Sequence, residues 1–141
     1  MKIPFNKTYL TNNEIKNISE VLDKKKLTGG YKYTINSIKK IISLTKSKEV
    51  FLTHTCTSAL EFCTLISDFS INDEIIMPAF TFVSSANPFV LRGCKIVFVD
   101  IRKDTLNIDE KKIEEKITKK TKAILVMHYA GVACEMNYII S

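Results

Sequence analysis

Lys95-Ile96-Val97-Phe98-Val99-Asp100 is the stretch that decides the fold class. It is a continuous apolar run, β-branched at Ile96, Val97 and Val99 and closed by charge at both ends. That is the pattern of a strand buried on both faces. Similar runs lie on either side: Glu74-Ile75-Ile76-Met77, closed by Pro78, and Ala123-Ile124-Leu125-Val126-Met127. Val50-Phe51-Leu52-Thr53 reads as a further short buried strand. Helices are expected between them: Ser58 to Ile66, a short one ending near Gly93, and one running from the capping box Asn107-Ile108-Asp109-Glu110 to about Ile117. Strands alternating with helices predict an α/β fold, a mostly parallel sheet covered on both faces. Ligands on such sheets bind beyond the carboxyl ends of the strands. Those ends here carry Thr53 to Ser58, Pro78 to Phe82, Asp100-Ile101 and His128 to Gly131.

Upstream of residue 49 the pattern is purely helical. Thr11-Asn12-Asn13-Glu14 has the spacing of a capping box, and Ile15, Ile18 and Leu22 follow at helical intervals. That helix is expected to end near Lys26, before the turn Leu27-Thr28-Gly29-Gly30. A second, from about Thr34 to Leu44, carries Ile35, Ile38, Ile41 and Ile42 on one face. The chain therefore divides into an N-terminal helical segment, 1–48, and an α/β part, 49–141. Glu135 to Ser141 reads as the first turn and a half of a helix, so the α/β part looks cut rather than finished.

Composition narrows the function classes. With 45% hydrophobic and 26% charged residues, the chain has the balance of a globular protein. No apolar run approaches the roughly 20 residues needed to span a bilayer. The opening Met1-Lys2-Ile3-Pro4-Phe5-Asn6 has no apolar core of a signal peptide, which points to the cytoplasm. The net charge of +6 comes from scattered lysines, many beside acids, and only Arg92 and Arg102 are arginine. Nucleic-acid binders more often cluster arginine and aromatics on one face, so no nucleic-acid partner is expected. Lys24-Lys25-Lys26 reads as a run at a helix end, where cations favour the helix dipole. Cys56, Cys63, Cys94 and Cys134 form no C-x-x-C pair and match no zinc spacing. They read as reduced thiols, Cys63 and Cys94 as small core residues.

Two segments carry the candidate chemistry. Thr55-Cys56-Thr57-Ser58-Ala59 turns from a strand-like run into a helix, where unpaired N–H groups and the helix dipole favour an anion. Equally, Thr57 or Ser58 could simply cap the helix. The glycine-rich fingerprints of dinucleotide and P-loop sites are both missing. Phe80-Thr81-Phe82-Val83-Ser84 sets aromatic rings past a strand end, where one can lie against a planar heterocycle or both can belong to the core. His128 is either a ligand or acid–base group or a structural histidine, and His54 has no evident partner. Asp100 either faces a site or starts a loop.

These residues, in this order, resemble the DegT/DnrJ/EryC1/StrS family of pyridoxal-phosphate (PLP)-dependent sugar aminotransferases. The resemblance opens at Ile3-Pro4-Phe5-Asn6 and Lys26-Leu27-Thr28-Gly29-Gly30 and continues through Thr55 to Glu61 and Asp73 to Pro78. It is strongest over Thr81-Phe82-Val83-Ser84-Ser85-Ala86-Asn87 and Phe89 to Gly93, and closes with His128 to Met136. It implies the large domain of an aspartate aminotransferase-like, fold type I enzyme, of which this chain would be the truncated N-terminal part. It implies a homodimer that moves an amino group from glutamate to a nucleotide sugar, a dTDP-4-keto-6-deoxyhexose, in cell-surface polysaccharide synthesis. Thr57 and Ser58 would hold the cofactor phosphate, and Cys56-Thr57 stands where the family commonly has Gly-Thr. Phe82 would stack on the pyridine ring, and Thr28, Gly29 and His128 would line the sugar-nucleotide side. None of the nineteen lysines lies in the family's Schiff-base motif, and the carboxylate that pairs with the ring nitrogen has no counterpart here. The fragment is therefore expected to be inactive alone. Other readings are a non-catalytic remnant or split-enzyme partner, and an unrelated nucleotide-binding α/β domain.

Overall fold

The computed structural model describes residues 2–4 and 6–141. Phe5, one of the residues that carry the resemblance, lies outside them. The chain forms two compact units, Met1–Leu52 and Thr53–Ser141.

The first unit is built on α1 (Glu14–Asp23) and α2 (Lys32–Thr45). Half of the expected capping box forms: the Thr11 backbone N–H and hydroxyl both donate to Glu14 Oε1 at 2.8 Å. Those donors stabilise the carboxylate and hold the Glu14 pKa below its usual value. The turn between the helices contains Thr28 and Gly29, both exposed, and Gly30 takes φ +86°, a left-handed conformation open to glycine at no steric cost.

The second unit holds a parallel sheet of β1 (Glu74–Pro78), β2 (Lys95–Val99) and β3 (Thr121–Ile124), in the order β2-β1-β3. β1 is central and its five residues are all buried, so its alternating side chains seed one core on each face. Ile76 packs with Val99, Ile108, Ile113 and Cys134 on one side. Ile75 and Met77 pack with Phe89 and Cys94 on the other. Ile75, Ile76 and Met77 are fully buried, and each such side chain contributes about 1.5–3 kcal/mol. Pro78 ends β1, where its missing N–H costs no ladder bond inside the strand. α5 (Met136–Ile140) sends Met136 and Ile139 onto the first core. α4 (Asn87–Val90) supplies Phe89 to the second, and α3 (Cys56–Ile66) packs against α4.

Gly93 behaves as expected past the end of α4. It takes φ +81°, its N–H bonds Val90 O at 2.9 Å and the next N–H, of Cys94, bonds Phe89 O at 3.1 Å. This is the paired closure of a glycine-ended helix. A Cβ there would also meet Ile71 Cγ1 at 3.0 Å.

Three expectations are corrected. Residues 50–53 form no strand and take no part in the sheet, and Phe51 is 72% exposed. Residues 110–116 form no α-helix but two 3-10 turns, Glu110–Lys112 and Glu114–Lys116. A 3-10 turn brings positions i and i+3 onto one line, and Glu110 and Ile113 are both buried. Cys63 is exposed, whereas Cys94 is in the core.

Candidate functional site

Within the second unit, the candidate residues fall on the α3 N-terminus and on the loops past the carboxyl ends of the strands. α3 starts cleanly because Thr55, in extended conformation, caps it: Ser58 N–H donates to Thr55 Oγ1 at 3.0 Å. The cap is thus Thr55, not Thr57 or Ser58. Thr55 Oγ1 donates in turn to Ser58 Oγ at 3.1 Å, and Ser58 Oγ lies 3.3 Å from His54 Nε2. His54 therefore has a partner that its sequence neighbourhood did not suggest. The Ser58 N–H is consumed by the cap, and the Ala59 N–H by Thr55 O at 3.1 Å. The N–H groups of Cys56 and Thr57 remain, with no acceptor among the described residues. With the half-buried Thr57 hydroxyl they form a donor set suited to a phosphate at the positive end of an 11-residue helix.

Past β1, the ladder extends one residue through Ala79 N–H to Val99 O at 2.9 Å. The chain then turns out of the sheet. Phe80 sets its ring 5.0 Å from that of Tyr129, tilted by 53°. Phe82 is 71% exposed and offers a free ring face at the start of the turn Val83–Ser85. Of the two phenylalanines, then, Phe80 meets another ring while Phe82 is presented outward. Thr81 and Ser85 hydroxyls, 2.9 Å apart, brace that turn, and α3 packs against it.

Past β3, His128 is exposed and its Nδ1 accepts the Cys134 N–H at 3.0 Å. The proton of the neutral ring is then on Nε2, which leaves that edge free as a donor. Asn107, read from sequence as a helix cap, instead holds this loop. It is 2% exposed, donates from Nδ2 to Val132 O at 2.9 Å and accepts the Tyr129 N–H at 2.8 Å. Nothing in the sequence set this asparagine apart from a cap. Cys134 is buried, its thiol 3.2 Å from Met127 O, and burial pushes its pKa up.

Asp100 starts a loop. It accepts the Ile101 N–H at 2.8 Å and pairs with Lys112 Nζ at 3.4 Å; both hold its carboxyl below the usual range, the backbone donor most. Among the described residues, no cluster of metal-binding side chains occurs and no helix is long and apolar enough to cross a membrane.

Residues 8–141 match the DegT/DnrJ/EryC1/StrS aminotransferase family. The spore coat polysaccharide biosynthesis protein SpsC of Bacillus subtilis is 31% identical over 139 residues, 99% of this chain and 36% of that protein. Escherichia coli GDP-4-keto-6-deoxy-D-mannose-3-dehydratase, solved with bound hydrated PLP, superposes with a TM-score of 0.89 at 28% identity. The match covers 98% of this chain and 37% of that one. A structure of GDP-4-keto-6-deoxymannose-3-dehydratase with bound GDP-perosamine gives the same values. Helicobacter pylori PseC, an aminotransferase of pseudoaminic acid biosynthesis, gives a TM-score of 0.87 at 30% identity, over 99% of this chain and 38% of that one. The chain thus spans little more than a third of the length of these relatives.

Proposed function

Since the chain belongs to the DegT/DnrJ/EryC1/StrS aminotransferase family, we propose that it is the N-terminal part of a PLP-dependent sugar-nucleotide aminotransferase. The observation that carries this reading is the family match over 8–141, joined to an α3 N-terminus whose free donors suit a phosphate. The amino group would come from glutamate and go to a dTDP-4-keto-6-deoxyhexose, in cell-surface polysaccharide synthesis. The complete enzyme would be a cytoplasmic homodimer.

The donor set fits the phosphate of PLP, which when bound supplies an electron sink for amine transfer. The N–H groups of Cys56 and Thr57, with the Thr57 hydroxyl, bind the phosphate and fix the cofactor's orientation. Ser58 supports them through its bonds to Thr55 and His54. Phe82 covers one ring face and excludes water from it. His128, with Nε2–H directed outward, holds a substrate oxygen, and Thr28 and Gly29 contribute to the sugar-nucleotide side.

Amine transfer also needs a lysine that handles the migrating proton and a carboxylate beside the ring nitrogen. In the second unit, Lys95, Lys120 and Lys122 sit at the amino ends of the strands, and Lys103, past the carboxyl end of β2, lies outside the family's Schiff-base motif like the other lysines. Lys112 is committed to Asp100 and Asp109. The 141-residue chain therefore does not transfer an amine by itself; it acts within a longer enzyme or beside a separate C-terminal part, or is a remnant.

Two assays on the purified chain test this. PLP should bind with a millimolar-or-better Kd, read by its absorbance and by competition with inorganic phosphate, and Thr57→Val should weaken it. Amine transfer from glutamate to a nucleotide-linked ketosugar by the chain alone would overturn its inactivity. A second reading is favoured by the dehydratase superposition at TM-score 0.89: removal of a sugar hydroxyl rather than gain of an amine. Product analysis of the complete enzyme separates the two.

A further inference from the structure

His54 is an exposed residue on the approach to α3, where the simplest expectation is a solvated ring with no task. Its Nε2 nevertheless lies 3.3 Å from Ser58 Oγ. Ser58 is the third residue of α3, and its side chain leans back towards the helix N-terminus. Capping does not call for this contact. Thr55 already caps the helix: its Oγ1 accepts the Ser58 N–H at 3.0 Å and donates to Ser58 Oγ at 3.1 Å. The segment before it is braced as well, since the Thr53 hydroxyl donates to Thr55 O at 2.8 Å.

A serine hydroxyl has one proton and room for two donors. Thr55 supplies one donor to Ser58 Oγ, so His54 decides what becomes of the Ser58 proton. With Nε2 as acceptor, the ring takes that proton and leaves none for a ligand. With a proton on Nε2, the ring fills the second lone pair, and the Ser58 proton turns away from both partners. The N–H groups of Cys56 and Thr57, which have no acceptor among the described residues, belong to the same helix turn. A phosphate bound to them only accepts, and it favours a further donor through a charge-assisted bond. Two donors into Ser58 Oγ also polarise its O–H and strengthen that bond.

We infer that His54 is a positioning residue of the α3 N-terminus: its Nε2–H holds Ser58 Oγ and directs the Ser58 hydroxyl proton onto a phosphate bound there. That the phosphate belongs to PLP rests on the reading above; the coupling of His54 to Ser58 rests on this geometry alone. His54 acts only through Ser58.

The test is calorimetric titration of the whole 141-residue chain with two probes. One is inorganic sulfate, a tetrahedral dianion; the other is pyridoxine 5′-phosphate, which has no aldehyde to react with surface lysines. Ser58→Ala and His54→Phe should each weaken both about fivefold, the loss of one bond to a charged acceptor. His54→Gln, whose amide offers a donor in place of Nε2–H, should stay within about twofold of the parent. Because His54 acts through Ser58, the double variant should bind no more weakly than Ser58→Ala. Urea midpoints should not move, since Thr55 still caps α3. Nitrogen-15 spectra of the neutral ring should put the His54 proton on Nε2 when sulfate is bound. Unaltered affinity in His54→Phe overturns the inference. So does an additive loss in the double variant, which would place His54 on the anion itself, or a proton on Nδ1 with sulfate bound. Failure of both probes to bind overturns the inference and the cofactor reading together. Sulfate bound with this pattern, but no pyridoxine 5′-phosphate, sustains the role of His54 and sinks the cofactor reading. Pyridoxine 5′-phosphate bound equally by the parent and His54→Phe does the reverse.

Discussion

The backbone N–H of Cys134 donates to Nδ1 of His128 at 3.0 Å. An acceptor nitrogen carries no proton, so the neutral ring must be the Nε2–H tautomer. Nitrogen-15 correlation spectra at pH 8 should show it. A proton on Nδ1 would mean that this bond does not form, and would remove the basis for a donor role at Nε2.

Asn107 ties the same loop from beneath. Asn107→Ala removes its two bonds to the Tyr129–Val132 segment. The orphaned backbone groups lie near solvent, so the expected loss is about 1–2 kcal/mol by urea denaturation. Faster hydrogen exchange at Tyr129 should accompany it. Asn107→Asp keeps the acceptor for Tyr129 but sets a carboxylate oxygen against the Val132 carbonyl, and should be the worse variant.

Thr55 and Thr57 separate stability from binding at the α3 N-terminus. Thr55→Ala removes the cap and should cost about 1 kcal/mol, with Thr55→Ser close to the parent. Thr57→Val should leave the unfolding midpoint within experimental error and weaken phosphate and PLP binding. The opposite assignment, stability lost at Thr57 and unaffected at Thr55, would place the cap where the sequence alone suggested.

Glu20 makes the first unit acid-sensitive. Lys24, then Lys32 and Tyr33, donate to its carboxylate and hold its pKa at about 2, from 4.5. The folded value lies below the unfolded one. Its contribution to stability is therefore fully present above about 4.5 and is lost as pH falls through about 2. Carboxyl-carbon NMR should follow the titration directly. Glu20→Gln should flatten the acid limb between those values, and an unchanged limb would show that the pairing is not held in solution.

Much of the fold was legible because its signals are local. β1 and β2 are short apolar runs whose side chains must be buried on both faces, and a parallel sheet is the structure that does so. Ile15, Ile18 and Leu22 repeat at helical spacing, and Gly93 is the residue that most easily takes a left-handed turn. The order of motifs from Thr28 to Met136 carried the family, and with it the candidate residues Thr57, Ser58, Phe82 and His128. Tertiary structure alone decided the rest. Val50 to Thr53 has the composition of a strand, yet a strand is defined by its ladder, and the sheet is made of β1, β2 and β3 without it. Glu110 to Lys116 has the spacing of a helix, yet it closes as two 3-10 turns with Glu110 and Ile113 both buried. Thr55 rather than Thr57 caps α3, Asn107 clasps a loop more than twenty residues away, and His54 meets Ser58. Each of these depends on where the backbone turns, and only the packed chain determines that.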